Sequence, residues 1–76
     1  MDTTSIEQMI QTGLPDAKVT VTGDDGVHFE AHVVSPSFSG KSTLQRHRLV
    51  YATLGTLMGN EIHALGLHTK APEETS

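Results

Sequence analysis

The sequence predicts an α+β domain in which a three-stranded mixed sheet carries two main helices on one face, in the order α-β-β-α-β. Two segments repeat apolar residues at helical spacing behind helix-capping sequences. Three short segments alternate apolar and polar residues, as half-buried strands do. A chain of 76 residues has room for one core only. We therefore expect a single domain over residues 1–76.

The first helix is predicted from Ser5 to Gly13. Thr4 is the expected N-cap, and Glu7 three residues later completes a capping-box pattern. Apolar residues recur on one face at helical spacing, and Pro15 follows the glycine that ends the segment. This helix should therefore pack its apolar face against the sheet.

A hairpin is predicted next. Strand one is expected over 18–22 and strand two over 27–35, where Phe29 begins an apolar row that alternates with His28 and other polar residues. The connection, Gly23-Asp24-Asp25-Gly26, has the composition of a turn.

The second half of the chain reads as helix and strand. Pro36 breaks strand two, and Ser42 with Gln45 forms a second capping-box pattern that begins a helix reaching Met58. Strand three is expected over 62–68, and residues 71–76 as a frayed acidic tail. Because a helix joins strands two and three, these strands should be parallel with a right-handed connection.

Composition excludes several classes of function. The chain has no cysteine, so it cannot form disulfides or a thiolate metal site by itself. Its formal charge of −4 opposes strong non-specific nucleic-acid binding. No apolar run approaches a membrane span of about 18 residues, and the N-terminus lacks signal-peptide features, so we expect a cytoplasmic location. No nucleophile–base–orienter triad is suggested by the placement of residues, so we do not expect an enzyme.

Three motifs in order resemble those of the BolA-like family: Phe38-Ser39-Gly40-Lys41, then Arg46-His47-Arg48 with Tyr51, then Ile62-His63-Ala64-Leu65 with Leu67. The resemblance covers roughly residues 6 to 70, and the Val27-His28-Phe29 run is similar to the short bacterial branch of the family. It implies the fold that these proteins share with type II KH domains. It also implies a monothiol glutaredoxin as partner in iron–sulfur cluster handling.

His63 is the leading candidate ligand. From pattern alone, an isolated histidine beside apolar residues is more often a structural side chain bonded to a carbonyl. The resemblance instead implies that His63 ligates a [2Fe–2S] cluster shared with the glutaredoxin and glutathione, and imidazole is a competent iron ligand. The family's second ligand lies in the loop between the first two strands. In the family this ligand is usually a histidine or cysteine. Aligning the aromatic residue that opens strand two with Phe29 puts the position near Asp25, an oxygen donor, while His28 is the nearest nitrogen donor.

Other histidines offer weaker metal chemistry. His28 and His32 share a strand face, but four strand residues span about 13 Å, which is too far for one ion. A solvated strand face is the favoured interpretation. His68 lies an odd number of positions from His63, so the two should project to opposite faces, and no self-contained zinc site follows from these spacings.

A basic patch is predicted near the start of the second helix. Arg46, His47 and Arg48, with Lys41 just before the helix, could dock a partner or a phosphate. The structural alternative packs His47 beside the core and pairs the arginines with Glu61, Asp24 or Asp25. The resemblance favours a partner surface. Two arginines at i and i+2 do not face each other on a helix, so they cannot clamp one phosphate without help.

Two other functions remain open from the sequence. One is a KH-like nucleic-acid-binding transcriptional regulator, and the other is a metal-free protein-interaction module. The hairpin turn fits the bare G-x-x-G pattern of KH domains. Here, however, it joins two strands and carries two carboxylates, so a hairpin turn is the better interpretation. A homodimer is also left open.

Overall fold

The computed structural model describes residues 2–23, 25–26, 28–59, 62 and 64–74. Within these residues the chain forms two α-helices and one three-stranded mixed sheet, which confirms the predicted α+β class and the element order. The elements are α1 (Thr3–Gly13), β1 (Lys18–Thr22), β2 (His28–Val34), α2 (Thr43–Leu54) and β3 (Ala64–Lys70). No helix in the described part of the chain is long and apolar enough to cross a membrane.

Helix α1 begins two residues earlier than predicted. Its N-cap is Asp2, whose Oδ1 accepts a hydrogen bond from the backbone N–H of Ser5 at 2.8 Å. The predicted capping box at Thr4 and Glu7 is therefore wrong. The Glu7 carboxylate instead accepts the backbone N–H of Val21 at 2.8 Å. This bond ties the helix to β1, a tertiary contact that no local capping rule could anticipate.

Strands β1 and β2 form the predicted antiparallel hairpin, with Lys18 opposite Val34 and Thr22 opposite Glu30. Phe29, Ala31 and Val33 are buried, whereas His28, Glu30 and His32 between them are exposed. The predicted alternation is therefore confirmed. The two helices cover the buried face of the sheet, and the opposite face is left open.

Helix α2 has the predicted capping box. The Ser42 hydroxyl accepts the N–H of Gln45, and the Gln45 side chain accepts the N–H of Ser42. The helix ends at Leu54 rather than Met58, because Gly55 adopts a positive φ of 56° and its N–H bonds to the carbonyl of Tyr51. A short 3-10 turn over Gly55–Leu57 then leads towards the last strand.

Strand β3 runs parallel to β2, as the crossover predicted, with His28 paired to Ala64 and Val34 to Lys70. It spans Ala64–Lys70 rather than 62–68. Ile62 is fully buried and forms an isolated bridge with Met58. Before β3, the N–H of Gly59 bonds to the carbonyl of Ile62 at 2.8 Å and the N–H of Ile62 bonds to the carbonyl of Leu57 at 2.9 Å, so Ile62 pairs with the segment that follows α2.

The two helices approach closely where α1 ends. A Cβ atom added to Gly13 would lie 2.8 Å from Cβ of Thr53, which is closer than such atoms come in real proteins. The sequence explained Gly13 only as a helix terminator. The structure gives a second reason, because a side chain here would push α1 away from α2.

Residues 71–74 pack against the domain, where the sequence predicted a frayed tail. Ala71 is fully buried, and Pro72–Glu74 forms a 3-10 turn. The Ser39 hydroxyl donates to the Glu73 carboxylate. These contacts attach the segment to the loop before α2. The remaining residues of the predicted tail, 75 and 76, lie outside the described residues.

Candidate functional site

His28 and Asp25, which the sequence offered as alternative ligands, form one unit at the end of the sheet. Nδ1 of His28 lies 2.6 Å from Oδ2 of Asp25, and the His28 backbone N–H donates to Oδ1 of the same carboxylate at 2.7 Å. The His28 side chain remains 71% exposed. Because Asp25 engages Nδ1, the Nε2 atom is the one through which His28 can reach outward. A metal-ligating histidine usually donates its other ring N–H to a carboxylate in this way, which holds the ring in one orientation.

His63, the leading candidate, lies outside the described residues, as do Asp24 and Glu61. The residue that follows it in sequence is described. Ala64 begins β3 and is paired with His28. The chain therefore enters β3 beside the His28–Asp25 unit. Next to His28 is a shallow depression of about 430 Å³ lined by Thr22, Gly23, Phe29 and Glu30.

Arg46 is not part of an exposed basic patch, so this part of the prediction is wrong. It is only 8% exposed, and its guanidinium makes a bidentate ion pair with Glu74, with N···O distances of 2.6 and 2.8 Å. The guanidinium carbon also lies 6.0 Å from the centroid of the Phe38 ring. Arg46 is buried because it shares a helix face with Val50 and Leu54 at i, i+4 and i+8.

The remaining residues of the predicted patch do face outward, in whole or in part. Arg48 and Lys41 are exposed, and His47 is half-buried, with its ring edge-on to Tyr51 at 6.4 Å between centroids. Leu44 is 60% exposed and Tyr51 37%. These residues lie three or four positions apart on α2, so they share one face. We call Leu44, His47, Arg48 and Tyr51 the α2 outer face.

The Arg46–Glu74 pair should make stability depend on pH in the acid range. The Arg46 side chain and the N–H of Ala71 donate to the Glu74 carboxylate and lower its pKa from 4.5 to about 2. A carboxyl with a depressed folded-state pKa stabilises the fold above its unfolded pKa and loses that effect as pH falls. We expect Glu74→Gln to melt at a lower temperature than wild type above pH about 4.5. The difference in melting temperature should shrink as the pH falls and vanish towards pH about 2.

Thermal melts followed by circular dichroism between pH 2 and 6 check this expectation. Glu73→Gln is the matched control, because it removes the same charge from the neighbouring residue and leaves the Arg46 pair intact. If the melting temperatures of Glu74→Gln and wild type differ by the same amount at every pH in this range, the stabilising role assigned to the Arg46–Glu74 pair is wrong.

The sequence missed one exposed pair of side chains. His32 on β2 and His68 on β3 are partners in the parallel register, and their rings stack with centroids 4.5 Å apart. His68 also contacts Glu30, with 2.9 Å between Nε2 and Oε2. The alternation in β2 and β3 places these residues on the open face. Only the pairing register shows that they meet, and no local pattern encodes that register.

Comparison with known proteins decides the family. The model of the BolA-like protein family matches residues 8–74. The chain belongs to the BolA-like family. A structure of a BolA homologue from Coxiella burnetii is 49% identical and superposes with a TM-score of 0.87, covering 97% of this chain and 95% of that one.

Two curated relatives give the range of BolA-like proteins that this chain resembles. The UV-induced protein uvi31 of Schizosaccharomyces pombe is 42% identical over 84% of this chain and 57% of its own length. The DNA-binding transcriptional regulator BolA of Escherichia coli is 43% identical over 62% of this chain and 45% of its own length. The chain thus spans less than two thirds of the length of these relatives.

Proposed function

We propose that this chain is an adaptor that binds a monothiol glutaredoxin and supplies histidine ligands to a shared [2Fe–2S] cluster. The observation that carries the proposal is the His28–Asp25 unit at the end of the sheet where β3 begins. His63 immediately precedes β3 in the sequence, and Ala64 pairs with His28. The first residue of β2 is therefore a neighbour of the first residue of β3, which supports a role for His63, the residue that precedes Ala64 in the sequence.

The donor set fits one iron of such a cluster. Neutral imidazole suits iron, and a carboxylate bonded to the far ring nitrogen fixes the tautomer and increases the basicity of the ligand. In this arrangement Asp25 orients His28 and is not itself the ligand. The chain has no cysteine, so the glutaredoxin and glutathione would supply the thiolates. Imidazole in place of thiolate raises the reduction potential of a [2Fe–2S] centre.

The α2 outer face supports a docking role. Leu44 and Tyr51 are the large hydrophobic side chains exposed within the described residues, and Arg48 lies between them on the same helix. Tyrosine and arginine are among the side chains most enriched at protein interfaces. The apolar contacts would contribute affinity, and Arg48 would steer the approach of an acidic partner.

Mixing the purified protein with cluster-loaded monothiol glutaredoxin tests the proposal directly. We expect a complex on a sizing column, together with altered visible absorption and circular dichroism of the cluster. His28→Ala should lose much of the spectral change, whereas His32→Ala, which removes another exposed imidazole from the same strand, should keep it. An unchanged spectrum and no complex would contradict the proposal.

If the chain is instead a metal-free interaction module, the same two measurements give different results. In that case the complex forms on the sizing column equally well with wild type and with His63→Ala, and the cluster spectrum is the same for both. The absence of a spectral difference, with binding retained, would favour this module over the shared cluster.

The second candidate is a nucleic-acid-binding regulator, which the similarity to the DNA-binding transcriptional regulator BolA of Escherichia coli favours. The position of Arg46 weighs against it, because its guanidinium is buried against Glu74 and cannot reach phosphate without breaking that pair. Arg48 and Lys41 remain exposed. Fluorescence anisotropy with duplex DNA at increasing salt distinguishes the candidates, since phosphate contacts make affinity fall steeply with salt. No binding at low salt excludes this function.

A further inference from the structure

A row of polar side chains crosses the open face of the sheet. Thr20, His32 and His68 are neighbours on β1, β2 and β3 in the pairing register. The two imidazoles are stacked, with 10° between ring planes and 4.5 Å between centroids. Both histidines are exposed to solvent. Two histidines on adjacent strands are thus held side by side by the backbone pairing, so little conformational freedom is lost when both bind one ligand.

Glu30 fixes the chemistry of one ring. Its Oε2 lies 2.9 Å from Nε2 of His68, and a carboxylate can only accept there, so Nε2 carries the proton. The free lone pair of neutral His68 is therefore on Nδ1. Gly66 makes room for this contact. A Cβ atom at Gly66 would lie 2.8 Å from the carboxyl carbon of Glu30, so any side chain there would displace the carboxylate.

We propose that His32 and His68 form a two-histidine site for a late first-row divalent metal ion such as Zn²⁺, with Glu30 as the positioning residue. Imidazole nitrogens are preferred ligands of zinc, nickel and copper. Two nitrogens bound to tetrahedral zinc lie about 3.4 Å apart, given Zn–N distances of about 2.0–2.1 Å. A ring nitrogen binds a metal in the plane of its ring, so the His32 ring must turn out of the stack before one of its nitrogens and Nδ1 of His68 can face the same ion. The exposure of His32 leaves its ring room to turn, and pairing of the two strands keeps the two side chains adjacent.

The rest of the coordination shell comes from water. Within the described residues, no group of three or more His, Cys, Asp or Glu side chains is arranged around one point to hold a metal. His28 cannot join, because it lies four residues along β2 from His32, about 13 Å away. This site is separate from the proposed cluster site at His28 and His63. It does not depend on glutaredoxin, so the two proposals can fail independently.

Zinc titration of the untagged full chain, labelled with ¹⁵N, tests the proposal. Long-range ¹H–¹⁵N spectra at pH 7.5 report the tautomer and the bound nitrogen of every histidine ring. Before zinc is added, His68 should be the Nε2–H tautomer. We expect the His32 and His68 rings to shift together and saturate at one equivalent of Zn²⁺, with zinc on Nδ1 of His68.

Variants separate this site from the other histidines. His32→Ala should weaken zinc binding at least tenfold, whereas His28→Ala, an exposed histidine on the same strand, should leave the shifts of His32 and His68 unchanged. Glu30→Gln and Gly66→Ala should each weaken binding by about tenfold, because both remove the carboxylate from His68. Zinc affinity that persists in His32→Ala, or zinc shifts confined to His68, would overturn the proposal. So would the absence of any zinc shift in the wild-type rings.

Discussion

Phe38→Ala should remove a large share of the stability of this domain. Phe38 is the largest fully buried side chain in the described residues, and the Arg46 guanidinium lies over its ring. Truncating a buried phenylalanine to alanine costs about 3–5 kcal/mol through lost burial and the cavity that remains. A chain of this length has a free energy of unfolding of about 4–11 kcal/mol. We therefore expect a large loss of urea resistance, measured by far-ultraviolet circular dichroism.

Two variants calibrate this result. Phe38→Leu keeps most of the apolar volume and should lose much less stability. Leu44→Ala removes a side chain that is 60% exposed and should change the unfolding free energy by less than about 0.5 kcal/mol. If Phe38→Ala lowers the urea midpoint no more than Leu44→Ala does, then the assignment of Phe38 as a core residue is wrong.

His63→Ala should abolish the altered cluster spectrum of the proposed glutaredoxin complex while leaving affinity for apo-glutaredoxin nearly intact. The reason is that one iron loses an imidazole that no cysteine of this chain can replace. Visible circular dichroism of the mixed proteins measures the first effect, and calorimetric titration with apo-glutaredoxin measures the second.

Arg48→Ala should have the opposite effects to His63→Ala. Removing an exposed charge should weaken association and reduce its salt dependence, while the spectrum of the complex that still forms stays unchanged. Arg46→Ala is unsuitable for this purpose, because it would leave Glu74 without its partner and disturb the fold. A melting temperature of His63→Ala lowered by many degrees would favour a structural histidine over a ligand.

The sequence alone was sufficient for the fold class and for most element positions. The alternation of Phe29 with His28 predicted β2, and the Ser42–Gln45 capping box located the start of α2. These signals are local, since caps and periodicities act within a few residues. The family resemblance, which depends on short motifs in order, was likewise accessible from the sequence and is confirmed by the match over residues 8–74.

The tertiary structure decided which charged and polar residues are available for chemistry. Arg46 reads as exposed and basic, but it pairs with Glu74, 28 residues later in the chain. Asp25 and His28 read as alternative ligands, but their side chains bond to each other. His32 and His68 show no relation in sequence, yet the parallel register stacks them. Periodicity assigns a side chain to a face of an element. Its partner there depends on strand register and packing between distant segments, which no local pattern encodes.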